Sequence, residues 1–151
     1  MRAEAEATIA APIDRVWQRM VDVDRYADWN PFILRVEGGN RPLRVGDEFI
    51  LHVRLAGRIT RSREQISKLD GPSGPAGARR AALVYVYRGL IDRLGMVHGS
   101  RTQELLETER GTRYHTYEDF SGWATWALPI GAVRDGFRAH ADALASGWPS
   151  P

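Results

Sequence analysis

The chain has no cysteine, which excludes disulfides, thiolate nucleophiles, iron–sulfur clusters and cysteine-based zinc sites. It has one lysine, Lys68, so its positive charge is almost all arginine. It also lacks charge runs: 21 cations and 19 anions are interspersed along 151 residues, and only Arg79-Arg80 sets two basic residues side by side. A nucleic-acid reader shows a basic stripe or patch, so nucleic acid is not an expected partner. No apolar stretch approaches the roughly 20 residues of a membrane helix, so a membrane is not an expected partner either. Met1–Ala11 carries Arg2, Glu4 and Glu6 and lacks an apolar signal core, so a soluble, cytoplasmic protein is expected. Catalytic signatures are missing too: there is no Gly-x-Ser-x-Gly elbow, no P-loop, no Gly-x-Gly-x-x-Gly after a strand and no His-Glu-x-x-His. The four histidines, at 52, 98, 115 and 140, are scattered singly, so neither a metal nor a cofactor is expected. Plain binding or cofactor-free chemistry remains.

What is present reads as one domain over residues 1–147 with a tail at 148–151. Ala3, Ala5, Ala7 and Ile9 alternate with Glu4, Glu6 and Thr8, the period of a half-buried strand. Pro12 then suits the start of a helix, and Ile13, Val16, Trp17 and Met20 fall on one stripe of it. Asp22 or Asp24 is expected to cap a second short helix reaching Trp29, which Pro31 ends. From residue 32 to about 122 the chain reads mostly as strand. Phe32, Leu34 and Val36 alternate, as do Phe49, Leu51, Val53 and Leu55, and Ala56-Gly57 marks a hairpin. A strand is expected over Arg58–Leu69, followed by a loose loop from Asp70 to Gly77. Leu83, Tyr85 and Tyr87 alternate next, and Val97–Glu107 and Thr112–Ser121 flank a turn at Glu109-Arg110-Gly111. Pro129 opens a last helix whose apolar face is Ile130, Val133, Phe137, Ala141 and Leu144. An antiparallel sheet of this size has one apolar face, and the last helix is the element that can cover it.

This order resembles the START-like (SRPBCC, helix-grip) superfamily, in particular its polyketide cyclase/dehydrase branch. The residues that carry the resemblance are Ala10-Ala11-Pro12 with Val16-Trp17, Asp22 to Tyr26, Trp29-Asn30-Pro31-Phe32, Val45-Gly46-Asp47, Gly111-Thr112-Arg113 and Glu118-Asp119-Phe120-Ser121-Gly122. It implies an α+β fold in which a curved antiparallel sheet of about seven strands, in the order β-α-α-β6-α, grips the C-terminal helix around an internal cavity for a hydrophobic ligand. Relatives include aromatase/cyclases, lipid carriers, hormone receptors and co-chaperones, so the fold alone does not name the activity. Two readings follow. One is a cofactor-independent polyketide cyclase/dehydratase of bacterial secondary metabolism. The other is a non-catalytic carrier or sensor of a lipid or hydrophobic metabolite. A co-chaperone module is a third, and a homodimer is compatible with any of them.

The resemblance turns the face bearing Tyr114, Thr116, Glu118 and Phe120 toward the cavity. A carboxylate there is desolvated, its pKa raised, and fit for general acid or base work. Arg101 lies on the preceding strand, roughly opposite Glu118, though a one-residue shift would reverse its face. The pair is therefore either catalytic, with Tyr85 as a further donor, or a structural cross-strand ion pair. Tyr87 shares the face of Tyr85. Trp29 and Phe32 match the family's aromatic pair, with packing or ligand contact as their role. His98 follows Gly89–Gly95, a segment bulky enough for a lid, and either reaches the cavity mouth or idles in solvent. Trp123 and Trp126 wall or gate the pocket, and Phe137 faces it from the last helix. His140 is expected to border the core without function. Arg61 and Arg63 are either solvated or, if inward, carboxylate binders.

Overall fold

Every second side chain of the strands turns inward, and the computed structural model, which describes residues 1–149, shows what they turn toward. Seven strands form one antiparallel sheet in the spatial order β1-β7-β6-β5-β4-β3-β2. In chain order they are β1 (Arg2–Ile9), β2 (Ile33–Gly38), β3 (Glu48–Leu55), β4 (Arg58–Ser73), β5 (Arg80–Tyr87), β6 (His98–Thr108) and β7 (Gly111–Ser121). Helices α1 (Ile13–Val21) and α2 (Tyr26–Trp29) connect β1 to β2, α3 (Leu90–Arg93) connects β5 to β6, and α4 (Ile130–Leu144) closes the chain. This is the expected α+β helix-grip architecture. The first and last helices lie on the concave side, α4 against β1 and β7 and reaching β3.

The inward set is continuous across the sheet. Ala3, Ala5 and Ile9 of β1, Tyr114 of β7, Leu105 of β6, Leu83 of β5, Ile66 of β4 and Phe49, Leu51 and Val53 of β3 are all buried. Ile13, Val16 and Met20 of α1 and Val133, Phe137 and Leu144 of α4 fill the space above them. Burial of the Val, Leu, Ile, Phe and Met side chains among them stabilises the fold by roughly 1.5–3 kcal/mol each. Trp148, in the expected tail, docks on this core: its Nε1 donates to the Leu144 carbonyl at 2.7 Å, and the Arg19 guanidinium lies 4.1 Å from its ring centroid. Ser150 and Pro151 of that tail lie outside the described residues.

Three local expectations are corrected. Neither Asp22 nor Asp24 caps a helix through its side chain, and Asp24 instead accepts from Arg41 at 2.9 Å. In β2 the inward phase belongs to Ile33 and Val36, not to Leu34, because an irregularity between Ile33 and Arg35 shifts the register against β3. The strand expected to end at Leu69 runs on to Ser73, pairing Asp70 with Ala82 and Ser73 with Arg80. A register shift between those pairs takes up Gly71-Pro72, residues that strands tolerate at bulges. Gly71 lies beside Trp17, whose Nε1 would stand in ordinary contact, 3.5 Å, from a Cβ at that position.

Glycine has a packing role in α4. A Cβ at Gly136 would come within 2.3 Å of the Phe32 ring, which itself meets Phe137 edge-on at 5.7 Å. The absence of a side chain at 136 is therefore what lets Phe32 lie between sheet and helix. Gly136→Ala is expected to lower stability by about 1–3 kcal/mol through overpacking, a fall of several degrees in Tm for a chain of this size. Phe32→Leu, which removes the clashing ring edge, is expected to recover part of that loss in the double variant. Thermal denaturation of the three variants checks it.

Candidate functional site

Strand pairing sets the site. Tyr85 on β5 stands opposite Arg101 on β6, and Arg101 stands opposite Glu118 on β7. The three share the inward face, so the register is the one that brings Arg101 and Glu118 to the same side. They do not form an ion pair. Arg101, only 3% exposed, spends its hydrogen bonds on neutral groups. Its Nε donates to Thr116 Oγ1 at 3.0 Å, its Nη1 to the Tyr85 hydroxyl at 3.0 Å, and its Nη2 reaches His140 Nδ1 at 3.3 Å. The guanidinium stacks on Phe137, with its carbon 4.2 Å from the ring centroid. The Glu118 carboxyl instead leans along β6 toward Gly99, where a Cβ would come within 2.7 Å of its Oε1. The cross-strand ion pair, one of the two readings open in the sequence, is not what this pair makes.

His140 corrects the expectation that it merely borders the core. It is 0% exposed, between Phe137 and Leu144 on the buried stripe of α4. Arginine can only donate, so Nδ1 accepts and the ring proton sits on Nε2. Burial, reinforced by the Arg101 charge, drives its pKa well below the usual histidine value, and the ring stays neutral. Asn30 steadies the arrangement from the α2–β2 junction. Its Oδ1 accepts from the backbone N–H groups of Phe32 and Ile33 at 3.0 and 2.9 Å, while its Nδ2 lies 3.4 Å from His140 Nδ1. A chain of polar contacts thus runs from the first helical connection through α4 to the centre of the sheet.

A pocket of about 270 Å³ opens beside Arg101, just under the range usual for small-molecule sites. Its apolar wall includes Leu51, Val53, Leu55, Val97, Val133 and Phe137, and α3 contributes Ile91 at the rim. Its polar side chains include Arg101, Tyr85, Glu118 and Glu64, and Tyr87, Ser62, Thr60 and Arg61 also border it. Glu64, 6% exposed on β4, accepts from the Ser62 hydroxyl at 2.6 Å. Burial pushes its carboxyl up to about 8, against the Ser62 hydrogen bond and with help from the Glu118 charge. Burial likewise raises Glu118, to about 7, with Arg101 opposing. Two carboxyls that exchange protons near neutrality, beside a fixed cation and a phenol, are equipped for general acid–base chemistry.

Of the residues expected at the site, Arg101, Glu118, Tyr85, Tyr87, Phe32, Phe120 and Phe137 line this pocket. Five others do not. Thr116 is buried beneath Arg101 as its acceptor. Trp29 packs edge-on against Tyr26 and His140, at 5.2 and 5.5 Å. His98 is exposed and bonded to Asp92 at 2.6 Å. Trp123 and Trp126, 66% and 79% exposed, stand outside the wall they were expected to form, because the chain turns away from the sheet after β7. Arg61 and Arg63 point outward to Glu37 and Glu48, at 3.5 and 2.8 Å, although Arg61 also edges the pocket. Glu64, His140 and Asn30 are the additions. The signal for Glu64 was its phase: it alternates with Arg61 and Arg63, so if they face solvent it faces inward. That for His140 was its place three residues after Phe137 and four before Leu144.

A model of the family described as polyketide cyclase / dehydrase and lipid transport matches residues 1–146. No curated protein sequence matches the chain. Among solved structures, the Zhui aromatase/cyclase from Streptomyces sp. R1128 is 21% identical with a TM-score of 0.68, covering 96% of this chain and 91% of that one. The ginseng major latex-like protein 151 from Panax ginseng is 11% identical with a TM-score of 0.76, covering 99% and 98%. The di-domain ARO/CYC BexL of the BE-7585A biosynthetic pathway is 14% identical with a TM-score of 0.71, covering 99% of this chain and 51% of that one. At these identities the likeness is one of fold.

The raised carboxyls also predict a pH dependence of stability. A carboxyl that holds its proton more tightly folded than unfolded adds stability in acid and loses it as pH rises. For Glu64 that contribution is complete below its ordinary value of 4.5 and gone above about 8. Glu64→Gln removes the titration, so the variant is expected to gain on the wild type steadily between pH 5 and pH 8. Tm measured across that range checks it, and parallel curves would rule it out.

Proposed function

The chain belongs to the polyketide cyclase / dehydrase and lipid transport family, and on that premise we propose that its pocket takes an aromatic or polyketide-like compound and cyclises and dehydrates it without a cofactor. The observation that carries this reading is the convergence of Glu118, Glu64, Tyr85 and Arg101 on a pocket with a broad apolar wall. A container for an apolar passenger needs no such group of proton donors and acceptors.

The chemistry closes on these residues. Ionised Glu118 removes a proton from a carbon between two ligand carbonyls, and the C–H electron pair passes to an enolate oxygen. Tyr85 faces that oxygen with its O–H, because the phenol oxygen already accepts from Arg101. The enolate carbon attacks a carbonyl further along the chain, forming a C–C bond, and protonated Glu64 gives its proton to the new alkoxide. Glu64 then removes the second proton from the carbon beside the alcohol, and protonated Glu118 passes its proton to the departing hydroxyl. Both carboxyls return to their starting states, one water is lost, and no oxidant is needed. Holding the two reacting carbons together in the pocket supplies the entropic part of the acceleration.

This reading assigns the protein to cytoplasmic secondary metabolism in a bacterium. The second reading, a carrier or sensor of a hydrophobic metabolite, is supported by the apolar wall of Leu51, Val53, Leu55, Val133 and Phe137 and requires that the ligand leave unchanged.

A phenyl-capped linear 1,3,7-triketone, whose C2 closes a six-membered ring on the C7 carbonyl, is a suitable substrate, its cyclisation followed as loss of one water by mass spectrometry. Glu118→Gln is expected to slow that reaction by about 10²- to 10⁴-fold, the usual scale of general acid–base catalysis, with ligand binding retained. Undiminished turnover would exclude the acid–base role, and binding without turnover in the wild type would favour the carrier.

A further inference from the structure

Arg101 is a buried cation with hydrogen bonds but no ion-pair partner among the described residues. A buried cation is costly unless a counter-charge and hydrogen bonds replace its water. Arg101 has hydrogen bonds, but to Thr116, Tyr85 and His140, none of which carries negative charge. Among the described residues, no carboxylate makes a salt bridge to it. Of its five N–H donors, three are used, which leaves one on each terminal nitrogen. Its flat face is occupied by Phe137, so the free donors lie at the edge of the guanidinium, and the residue lines the pocket.

None of the titratable groups around it is its salt-bridge partner. Tyr85 on β5, Tyr114 on β7 and Tyr26 on α2 are buried phenols, and burial raises the pKa of each, so all three are neutral. His140 on α4 is neutral for the reasons above. Asp119 on β7 turns to the outer face and pairs with Arg2 at 2.7 Å. Glu118 on β7 and Glu64 on β4 remain; burial raises both, and Glu118, at about 7, is partly ionised at neutral pH but makes no salt bridge to Arg101. The Glu118 carboxyl is moreover directed toward Gly99.

We infer that the ligand itself supplies the missing charge: the pocket binds an oxyanion, a carboxylate or an ionised enol or phenol, seated against the free N–H groups of Arg101 and the hydroxyl of Tyr85, with its apolar body along the Leu51–Val53–Leu55 wall. The inference rests on the pocket being the ligand site, as proposed above, and narrows the ligand class from hydrophobic to hydrophobic and acidic. A bound anion opposes ionisation of Glu118 and Glu64, so binding takes up protons and affinity falls as pH rises through the range in which the two carboxyls titrate, about 7 to about 8.

The test uses wild-type protein and an isosteric pair of two-ring probes, 2-naphthoate and 2-naphthamide. Isothermal titration calorimetry at pH 6 to 9, in buffers of different ionisation enthalpy, gives affinity and proton uptake together. The carboxylate is expected to bind on the order of 10- to 100-fold more tightly than the amide at pH 7, the scale of hydrogen bonds to charged groups. That preference should shrink toward pH 9, and a Glu64→Gln, Glu118→Gln double variant should keep it without proton uptake. Equal affinity for the two probes, or no binding of either up to millimolar concentration, overturns the inference. Loss of triketone turnover with the preference intact would count against the catalytic reading alone. Turnover without the preference would count against this one alone.

Discussion

A guanidinium shut away from water must find its partners inside the protein, and much of this molecule is arranged around the one at Arg101. Its three hydrogen-bond partners come from β5, β7 and α4, elements far apart in sequence. The sheet register supplies Tyr85 and Thr116, the packing of the last helix supplies His140, and Asn30 ties that histidine to the start of β2. This polar centre therefore depends on the whole fold being assembled. Burial makes each of these contacts stronger than it would be in water, and the loss of any one more costly.

Space around that centre is created by omission as much as by side chains. Gly99 leaves room for the Glu118 carboxyl, and Gly136 leaves room for Phe32, which lines the pocket and meets Phe137. Neither glycine is needed for an unusual backbone angle. Each is a position where a methyl group would strike a side chain of the site. A helix rich in small residues thus does not loosen the core at Gly136; it admits an aromatic ring.

The chemistry of the pocket follows from unequal solvation. Glu118 and Glu64 are raised by burial, each opposed by the Arg101 charge, and Glu64 further by the Ser62 hydroxyl. The outward carboxylates Glu48 and Asp119 meet arginines at the surface and are held below their usual values. One residue type thus serves two purposes according to the face of the strand it occupies, which is decided by a period of two.

That period, together with the helical stripes, was legible along the chain, because alternation and 3.6-residue spacing are local properties. They determined the strand set and the covering helix, while the resemblance turned the face of Glu118 and Phe120 inward and the face of Arg101 stayed open. What they left open needed the third dimension. Whether Arg101 meets Glu118 or His140 depends on side-chain directions across three elements. The exposure of Trp123 and Trp126 depends on where the chain turns after β7, and the role of Thr116 on what lies above it. The sequence determined the strands, the helices and the apolar stripe of each, since periodicity is a local property. Tertiary structure alone decided which of them touch, since contact between distant strands and a helix depends on register and packing that no local pattern encodes.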